Sequence, residues 1–145
     1  MKDIPQLPFE FRHRVKVQLR FNDIDMFGHV NNSIYVQWFD MGKLAYFKQF
    51  MGGGFEHEPT VPVVANINVT FYEPTLIDER IEVLTAVASV SHSSLVLEQR
   101  IVTESGRVKC TATTVMVNID VHTKRPEPVS EAWRKAFSDF ESRTI

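Results

Sequence analysis

The chain contains a single cysteine, Cys110, among its 145 residues. One thiol forms neither an internal disulfide nor a zinc cluster, so a disulfide scaffold is excluded and a reducing compartment is favoured. Basic residues number 16 against 18 acidic ones, and this charge of −2 leaves no basic excess for binding nucleic acid. No stretch approaches the roughly 18 apolar residues of a membrane span, and the N-terminus lacks the hydrophobic core of a signal peptide. These absences predict a soluble, cytoplasmic protein.

The composition is otherwise that of a globular protein. Hydrophobic residues make up 43% of the chain and charged residues 23%, so enough apolar surface is present to offset the entropy of ordering the chain. The length matches one ordinary domain, and neither a repeat nor a linker interrupts the pattern. We therefore expect one domain over residues 1–145.

The first third of the chain predicts a strand, a loop and a helix, in that order. Over residues 15–21 apolar and polar side chains alternate, which is the pattern of a strand with one solvent-exposed face. Turn-forming residues follow over 22–32. A helix is then predicted from residues 31–33 to about Phe50, and the three glycines at 52–54 end it.

This predicted helix is apolar over most of its circumference. Only Gln37, Asp40 and Lys43 form a polar stripe, and that stripe is narrow. A helix with so little polar surface is usually buried on nearly all sides. The pattern therefore predicts a large hydrophobic partner for the helix elsewhere in the chain.

Four further strands are predicted after the helix, and short turns typical of hairpins separate the last three. They cover residues 63–71, 81–90, 95–103 and 108–119. Ser130 then begins a short amphipathic C-terminal helix. An antiparallel five-stranded sheet wrapped around the buried helix satisfies both patterns and gives an α+β fold. Because the edge strands of such a sheet stay exposed, we expect two copies to pair edge to edge.

A polar segment from Asp23 to Asn32 lies between the first strand and the helix. Unpaired backbone N–H groups at the start of a helix, together with the helix dipole, can polarise a carbonyl oxygen. A carboxylate beside them, here that of Asp25, can act as a nucleophile or as a general base toward water. Standing alone, Asp25 would be interpreted as a loop or capping residue. The combination favours acyl transfer.

The same segment, Asp23 to Tyr35, has the sequence D-I-D-M-F-G-H-V-N-N-S-I-Y. It resembles the D-x-D-x-x-G-H-V-N-N-x-x-Y signature of the hotdog-fold acyl-CoA thioesterases of the 4-hydroxybenzoyl-CoA thioesterase group. The stretch Phe71-Tyr72-Glu73-Pro74 and the later Asp78 resemble the F-x-x-P turn of that family and the acidic position after it. The resemblance implies the hotdog fold, in which an antiparallel five-stranded sheet wraps around a long central helix.

The resemblance also implies roles for individual residues of this loop. Asp25, as the second aspartate of the D-x-D pair, would be the catalytic carboxylate. The backbone N–H of Asn32 would polarise the thioester carbonyl. Gly28 and His29 would shape the turn, and Asn31 would position water or fix the loop.

Further residues are implied on the substrate side. Tyr35 and Asp40 match positions that the family fills with tyrosine and an acidic residue, and Asp40 is the second candidate for the base. A structural alternative for Asp40 is an ion pair with Lys43 at i, i+3 spacing. The acyl tunnel is predicted to be lined by apolar side chains that would serve equally as core: Phe39, Phe47, Phe50 and Val63.

The expected substrate is an acyl-CoA. The motif departs from the G-I-V-W-Y-P of the aryl-CoA enzyme at residues 28–33, which favours a fatty acyl group over a benzoyl group. Lys124 and Arg125 are candidates for contacting the CoA phosphates. No cofactor is expected, since CoA is part of the substrate. No metal is expected either, because Phe27 stands where a calcium loop needs an oxygen ligand.

Two alternatives to acyl-CoA hydrolysis remain open. His29 and Asn31 favour hydrolysis of acyl-acyl-carrier-protein, since related enzymes for that substrate use His and Asn in a similar stretch. The non-enzymatic alternative is a hotdog module that binds acyl-CoA without cleaving it. In each case the expected assembly is a homodimer or a homotetramer.

Overall fold

The computed structural model describes residues 3–52, 54 and 57–145. Five strands and two α-helices follow one another along the chain: β1 (His13–Val17), α1 (Asn32–Lys48), β2 (Thr60–Phe71), β3 (Ile81–Val90), β4 (Ser94–Thr103), β5 (Val108–Asp120) and α2 (Glu131–Glu141). The strands form one antiparallel sheet in the order β1-β3-β4-β5-β2. The predicted α+β class, the five-stranded sheet and the meander of its last three strands are confirmed.

Strand β1 is shorter than predicted. It ends at Val17, whereas the alternating pattern predicted a strand as far as Phe21. Leu19 still packs against the core, so apolar side chains continue to alternate toward the core after the strand hydrogen bonds have ended. Phe21 instead begins a 3-10 turn that runs to Asp23, and its side chain is 85% exposed.

Helix α1 begins and ends close to the predicted positions. Asn31 is its N-cap, and the Asn31 side chain accepts a hydrogen bond from the backbone N–H of Ser33 at 3.0 Å. The helix ends at Lys48, two residues before the predicted end. Of the three glycines expected to end it, Gly53 lies outside the described residues.

The prediction that α1 is buried on nearly all sides is wrong for the single chain. The helix packs against one face of the sheet, and its opposite side carries Val36, Met41 and Leu44, which are 37%, 50% and 51% exposed. The sheet of one chain covers only one side of the helix, so these apolar side chains remain in contact with solvent.

Gly42 brings α1 unusually close to the sheet. A Cβ atom added at Gly42 would lie 2.6 Å from Val83 Cγ1 and 3.0 Å from both Gln99 Nε2 and Thr85 Oγ1. The Gln99 amide, fully buried, donates hydrogen bonds to the Phe39 carbonyl and to Thr85 Oγ1, each at 2.9 Å. Polar groups of the sheet therefore contact the helix backbone directly at this point.

The C-terminal helix α2 packs against the far end of α1. Its N-cap is Ser130, as predicted, with the Ser130 side chain accepting the Trp133 N–H at 3.2 Å. Phe47 and Phe50, two of the predicted tunnel residues, pack against apolar side chains of α2. Of the described helices, none is both long and apolar enough to cross a bilayer.

Candidate active site

The loop between β1 and α1 is anchored by a buried carboxylate. Asp23, 1% exposed, accepts hydrogen bonds from the Arg20 backbone N–H at 2.9 Å and from the Arg20 guanidinium at 3.2 Å. The Asp23 carbonyl accepts the Asn31 N–H at 2.8 Å. These bonds tie the two ends of the loop together, so Asp23 is a structural residue.

Asp25 lies in the middle of this loop, and backbone groups orient its carboxylate. Its Oδ1 accepts the N–H groups of Phe27 at 2.9 Å and of His29 at 3.2 Å. The Asp25 N–H donates to the His29 carbonyl at 2.8 Å, and the Gly28 N–H donates to the Asp25 carbonyl at 3.1 Å. Gly28 has a φ of +81°, a conformation that glycine adopts without strain. Oδ2 of Asp25 accepts no hydrogen bond from the described residues.

The start of α1 leaves one backbone donor unpaired beside this loop. The Val30 N–H donates to the Thr75 carbonyl at 2.9 Å, and the Asn31 N–H donates to Asp23. Ser33 donates to the Asn31 side chain. The Asn32 N–H, on the first residue of the helix, has no acceptor within the described part of the chain. Such a donor lies at the positive end of the helix dipole.

Asp25 and Asn32 line the same cavity, which has a volume of about 250 Å³. His29 and Tyr35 line it too, so four of the predicted site residues meet here. The opposite wall is the predicted F-x-x-P turn at residues 71–74. The two residues that carry the unpaired carboxylate oxygen and the unpaired helix N–H therefore line one space.

Two other predicted residues belong to the loop without lining this cavity. Gly28 supplies the turn that brings the His29 N–H back to Asp25. The Asn31 side chain is occupied by Ser33, whose N–H and hydroxyl both donate to Asn31 Oδ1 at 3.0 Å. Asn31 therefore fixes the start of the helix.

The remaining predicted residues lie away from the cavity. Asp40 is eight residues into α1 from Asn32, a rise of about 12 Å along the helix, and its Oδ1 lies 3.1 Å from Lys43 Nζ. This ion pair matches the structural alternative weighed for Asp40. Phe39 is fully buried in the core, and Val63 lies on β2 with 39% of its surface exposed.

Sequence reasoning missed two groups that support the cavity. Glu73 lines it, and its Oε1 lies 2.7 Å from an Arg107 nitrogen and 3.0 Å from Lys109 Nζ. The hydrogen bond from Lys109 is the main reason that the pKa of Glu73 lies below its usual range. Lys109 is itself 2% exposed. Its only signal in the sequence is a lysine within a strand of small and β-branched residues.

Tyr35 lines the cavity and is hydrogen-bonded to Thr75, which directly follows the turn at residues 71–74. Thr75 is fully buried, and its Oγ1 accepts the Tyr35 hydroxyl hydrogen at 2.9 Å. Burial raises the pKa of Tyr35 and outweighs the opposing effect of the Thr75 hydrogen bond. The phenol is therefore protonated at neutral pH and acts as a fixed hydrogen-bond donor.

The sequence matches the Thioesterase-like superfamily over residues 19–137. It is 25% identical over 121 residues to the acyl-CoA thioester hydrolase YbgC of Escherichia coli O6:H1, covering 82% of this chain and 90% of that protein. An uncharacterized protein of Bacillus subtilis, YsmA, is 30% identical over 104 residues, which are 72% of this chain and 70% of that protein.

A solved structure agrees with the sequence matches. The thioesterase of Thermus thermophilus, crystallised with coenzyme A and zinc, superposes with a TM-score of 0.82 at 28% identity. The match covers 93% of this chain and 98% of that one. The matched residues 19–137 include both walls of the cavity. The chain belongs to the Thioesterase-like superfamily, the hotdog-fold group that its D-x-D-x-x-G-H-V-N-N-x-x-Y motif predicted, and is a thioester hydrolase.

Proposed function

We propose that this protein hydrolyses an acyl-CoA thioester to the free acid and CoA, with Asp25 as the reactive carboxylate. The observation that carries the proposal is the cavity lined by both Asp25 and Asn32. The Escherichia coli relative is named an acyl-CoA thioester hydrolase, and the Thermus thermophilus thioesterase was crystallised with coenzyme A. Both support CoA as the carrier of the acyl group.

In this proposal the thioester carbonyl oxygen accepts a hydrogen bond from the Asn32 N–H. The bond strengthens as negative charge develops on that oxygen, which lowers the barrier to attack on the carbonyl carbon. Oδ1 of Asp25 is held by two backbone N–H groups. Its other oxygen, Oδ2, is therefore the one that reacts.

Two routes use this placement. As a general base, Asp25 removes a proton from water, the oxygen of that water adds to the carbonyl carbon, and the tetrahedral intermediate expels the CoA thiolate. As a nucleophile, Asp25 itself displaces the CoA thiolate to form an anhydride, which water then hydrolyses. In both routes the thiolate takes a proton, and one water is consumed for each thioester.

The proposed acyl group is aliphatic, because the motif lacks the residues that the aryl-CoA enzyme has at positions 28–33. The side chain of His29 lines the cavity, and this supports acyl-acyl-carrier-protein as the second candidate substrate. Equal acyl chains presented on the two carriers distinguish the candidates. The CoA phosphates are proposed to reach Lys124 and Arg125, which lie exposed in the turn after β5.

We also propose that the protein functions in the cytoplasm as a homodimer or homotetramer. Strand β2 is an edge of the sheet, and Val63 and Val64 on it are 39% and 45% exposed. An unpaired edge with apolar side chains favours pairing with another strand. Phe71, at the end of β2, lines the cavity, so a second copy on this edge would lie beside the site.

The experiment that tests the proposed function is release of free thiol from acyl-CoAs with short, medium, long and aryl acyl groups. Wild type and Asp25→Asn are compared in parallel. We expect turnover of an aliphatic acyl-CoA by the wild type and its loss in the variant. Tight binding of acyl-CoA without release of product would instead favour a binding module.

A further inference from the structure

The ammonium group of Lys109 is buried under the wall of the cavity and surrounded by oxygen atoms. Its Nζ donates hydrogen bonds to Glu79 Oε1 at 2.9 Å and to the Pro74 carbonyl at 3.0 Å, and it lies 3.0 Å from Glu73 Oε1. An ammonium has three donors; Glu79 and Pro74 accept two of them, and the carboxylate of Glu73 is an ion-pair partner. The side chain is 3% exposed. A buried charge of this kind is retained only when it is well paired.

A β-bulge delivers this side chain to its position. Along β5, Cys110 pairs with Ile101 and Val108 pairs with Val102, so Lys109 has no partner of its own on β4. A bulge of this type re-aims a side chain. Here the Lys109 side chain reaches beneath the turn that follows β2, while its carbonyl accepts the Tyr72 N–H at 2.9 Å.

The turn held by Lys109 is also the support of the catalytic loop. Thr75 directly follows Pro74, and its carbonyl accepts the Val30 N–H at 2.9 Å. Val30 in turn follows His29, whose N–H and carbonyl both bond to Asp25. A continuous path of covalent and hydrogen bonds therefore connects Lys109 to Asp25.

The positive charge of Lys109 lies between two carboxylates of this turn, those of Glu73 and Glu79. The Oε1 atoms of Glu73 and Glu79 lie near the same nitrogen, so they are within about 6 Å of each other, a distance at which two carboxylates repel. Partial burial alone would raise the pKa of Glu79, but hydrogen bonds from the Leu76 N–H and from Lys109 outweigh it and hold the pKa below its usual range. Without the ammonium, Glu73 would keep Arg107 as its partner, but Glu79 would lose its cation among the described residues and would face the carboxylate of Glu73.

We propose that Lys109 is a positioning residue for thioester hydrolysis. It touches no substrate. It neutralises Glu73 and Glu79, fixes Pro74 and Thr75, and through the hydrogen bond from Val30 sets the position of Asp25 opposite the Asn32 N–H. This role rests on the proposed function of Asp25.

The test compares Lys109→Met with wild type in two measurements. Hydrogen exchange at the Val30 amide reports whether the loop is still held, and steady-state kinetics separate kcat from KM. We expect exchange at Val30 to be at least about tenfold faster and kcat to fall by about tenfold to a hundredfold. KM is expected to change by less than about twofold, because Lys109 contacts no substrate.

The matched control is Glu141→Gln, which disturbs another buried charged residue. Glu141 is 5% exposed and accepts the Tyr46 hydroxyl hydrogen at 2.7 Å, at the far end of α1. It should lower the stability while leaving Val30 exchange and kcat within about twofold of wild type. Equal effects in the two variants would reduce the role of Lys109 to general stability and overturn the proposal.

A second variant keeps the test decisive if Lys109→Met does not fold. Glu79→Gln retains the shape of the side chain and weakens its bond to Lys109, so faster exchange at Val30 is expected, and unchanged exchange would overturn the proposal. A folded Lys109→Met with wild-type exchange and kcat would overturn it as well. If the wild type hydrolyses no thioester, only the proposed function fails, and the exchange measurement still decides whether Lys109 holds the loop.

Discussion

The Tyr35 hydroxyl donates its hydrogen to Thr75 Oγ1 at 2.9 Å across 40 positions of the chain. This bond links the first turn of α1 to the turn after β2, the two segments that form opposite walls of the cavity. Both partners are buried. The two walls are therefore held at a fixed separation by a bond that solvent does not reach.

Replacing Tyr35 by Phe should loosen this connection. The substitution leaves Thr75 Oγ1 without its donor in a buried position, and the free energy of unfolding is expected to fall by about 1 kcal/mol. Urea unfolding measures the change. Tyr72→Phe is the control, because the Tyr72 hydroxyl makes only a long, exposed bond of 3.5 Å to the Asp3 carbonyl. Equal losses in the two variants would contradict the argument.

Asp25→Asn and Asp40→Asn distinguish the two candidate bases. Asp25 lines the cavity, so its loss should reduce kcat by about a hundredfold to ten-thousandfold, the usual contribution of a general base. Asp40 is paired with Lys43 outside the cavity, and its variant should keep most of the turnover. Thiol release from one acyl-CoA measures both. The reverse order of effects would move the catalytic role to Asp40.

Labelled water separates the two routes open to Asp25. In a single turnover with excess enzyme in H₂¹⁸O, the anhydride route places label in the Asp25 carboxylate when water attacks the aspartyl carbonyl of the anhydride. The general-base route places label only in the released acid. Mass spectrometry of the peptide that contains Asp25 reads the outcome. The unpaired Oδ2 serves either route.

The stability should fall in acid partly through Glu73. Its pKa is lowered in the folded protein, chiefly by the hydrogen bond from Lys109. The stabilisation is therefore fully present above the ordinary value of 4.5 and is lost as the pH falls through the lower folded value. Urea unfolding between pH 7 and pH 3 should show a shallower acid loss for Glu73→Gln than for wild type. Glu10→Gln, at an exposed position, should leave the slope unchanged.

The unpaired edge strand β2 leads to a prediction about how copies of the chain associate. Val64→Lys places a charge on the unpaired edge and should convert the proposed dimer to monomers, because a buried, unpaired charge opposes strand pairing. Sedimentation velocity measures the change in mass. Ile77→Lys is the control, since Ile77 is 51% exposed in the loop between β2 and β3. A dimer that survives Val64→Lys would place the interface elsewhere.

Local patterns in the sequence predicted most of the sheet and the loop between β1 and α1. The predicted strand at 81–90 has the observed bounds. The starts of both helices were recognisable from nearby capping residues, although the sequence left Asn31, Asn32 and Ser33 open as the N-cap of α1. The motif indicated Asp25 and Asn32, which the fold brings to one cavity.

The parts that were missed depend on contacts between distant segments. An alternating pattern does not reveal a bulge, so the inward position of Lys109 was not visible in it. Helix α1 is apolar over most of its circumference, so its sequence did not show which side the sheet would leave exposed, and the exposure of Met41 and Leu44 was not predicted. Phe39 has the right chemistry for a tunnel, but its position on the helix directs it into the packed core.

The close packing at Gly42 fixes the distance between α1 and the sheet. Because no Cβ atom fits between α1 and the side chains of Val83, Thr85 and Gln99, any side chain at position 42 would push the helix away from the sheet. Asn32 is ten residues away, about 15 Å along the helix axis. In the proposed reaction, a side chain at position 42 would therefore shift the Asn32 N–H relative to the carboxylate of Asp25, although Gly42 does not line the cavity.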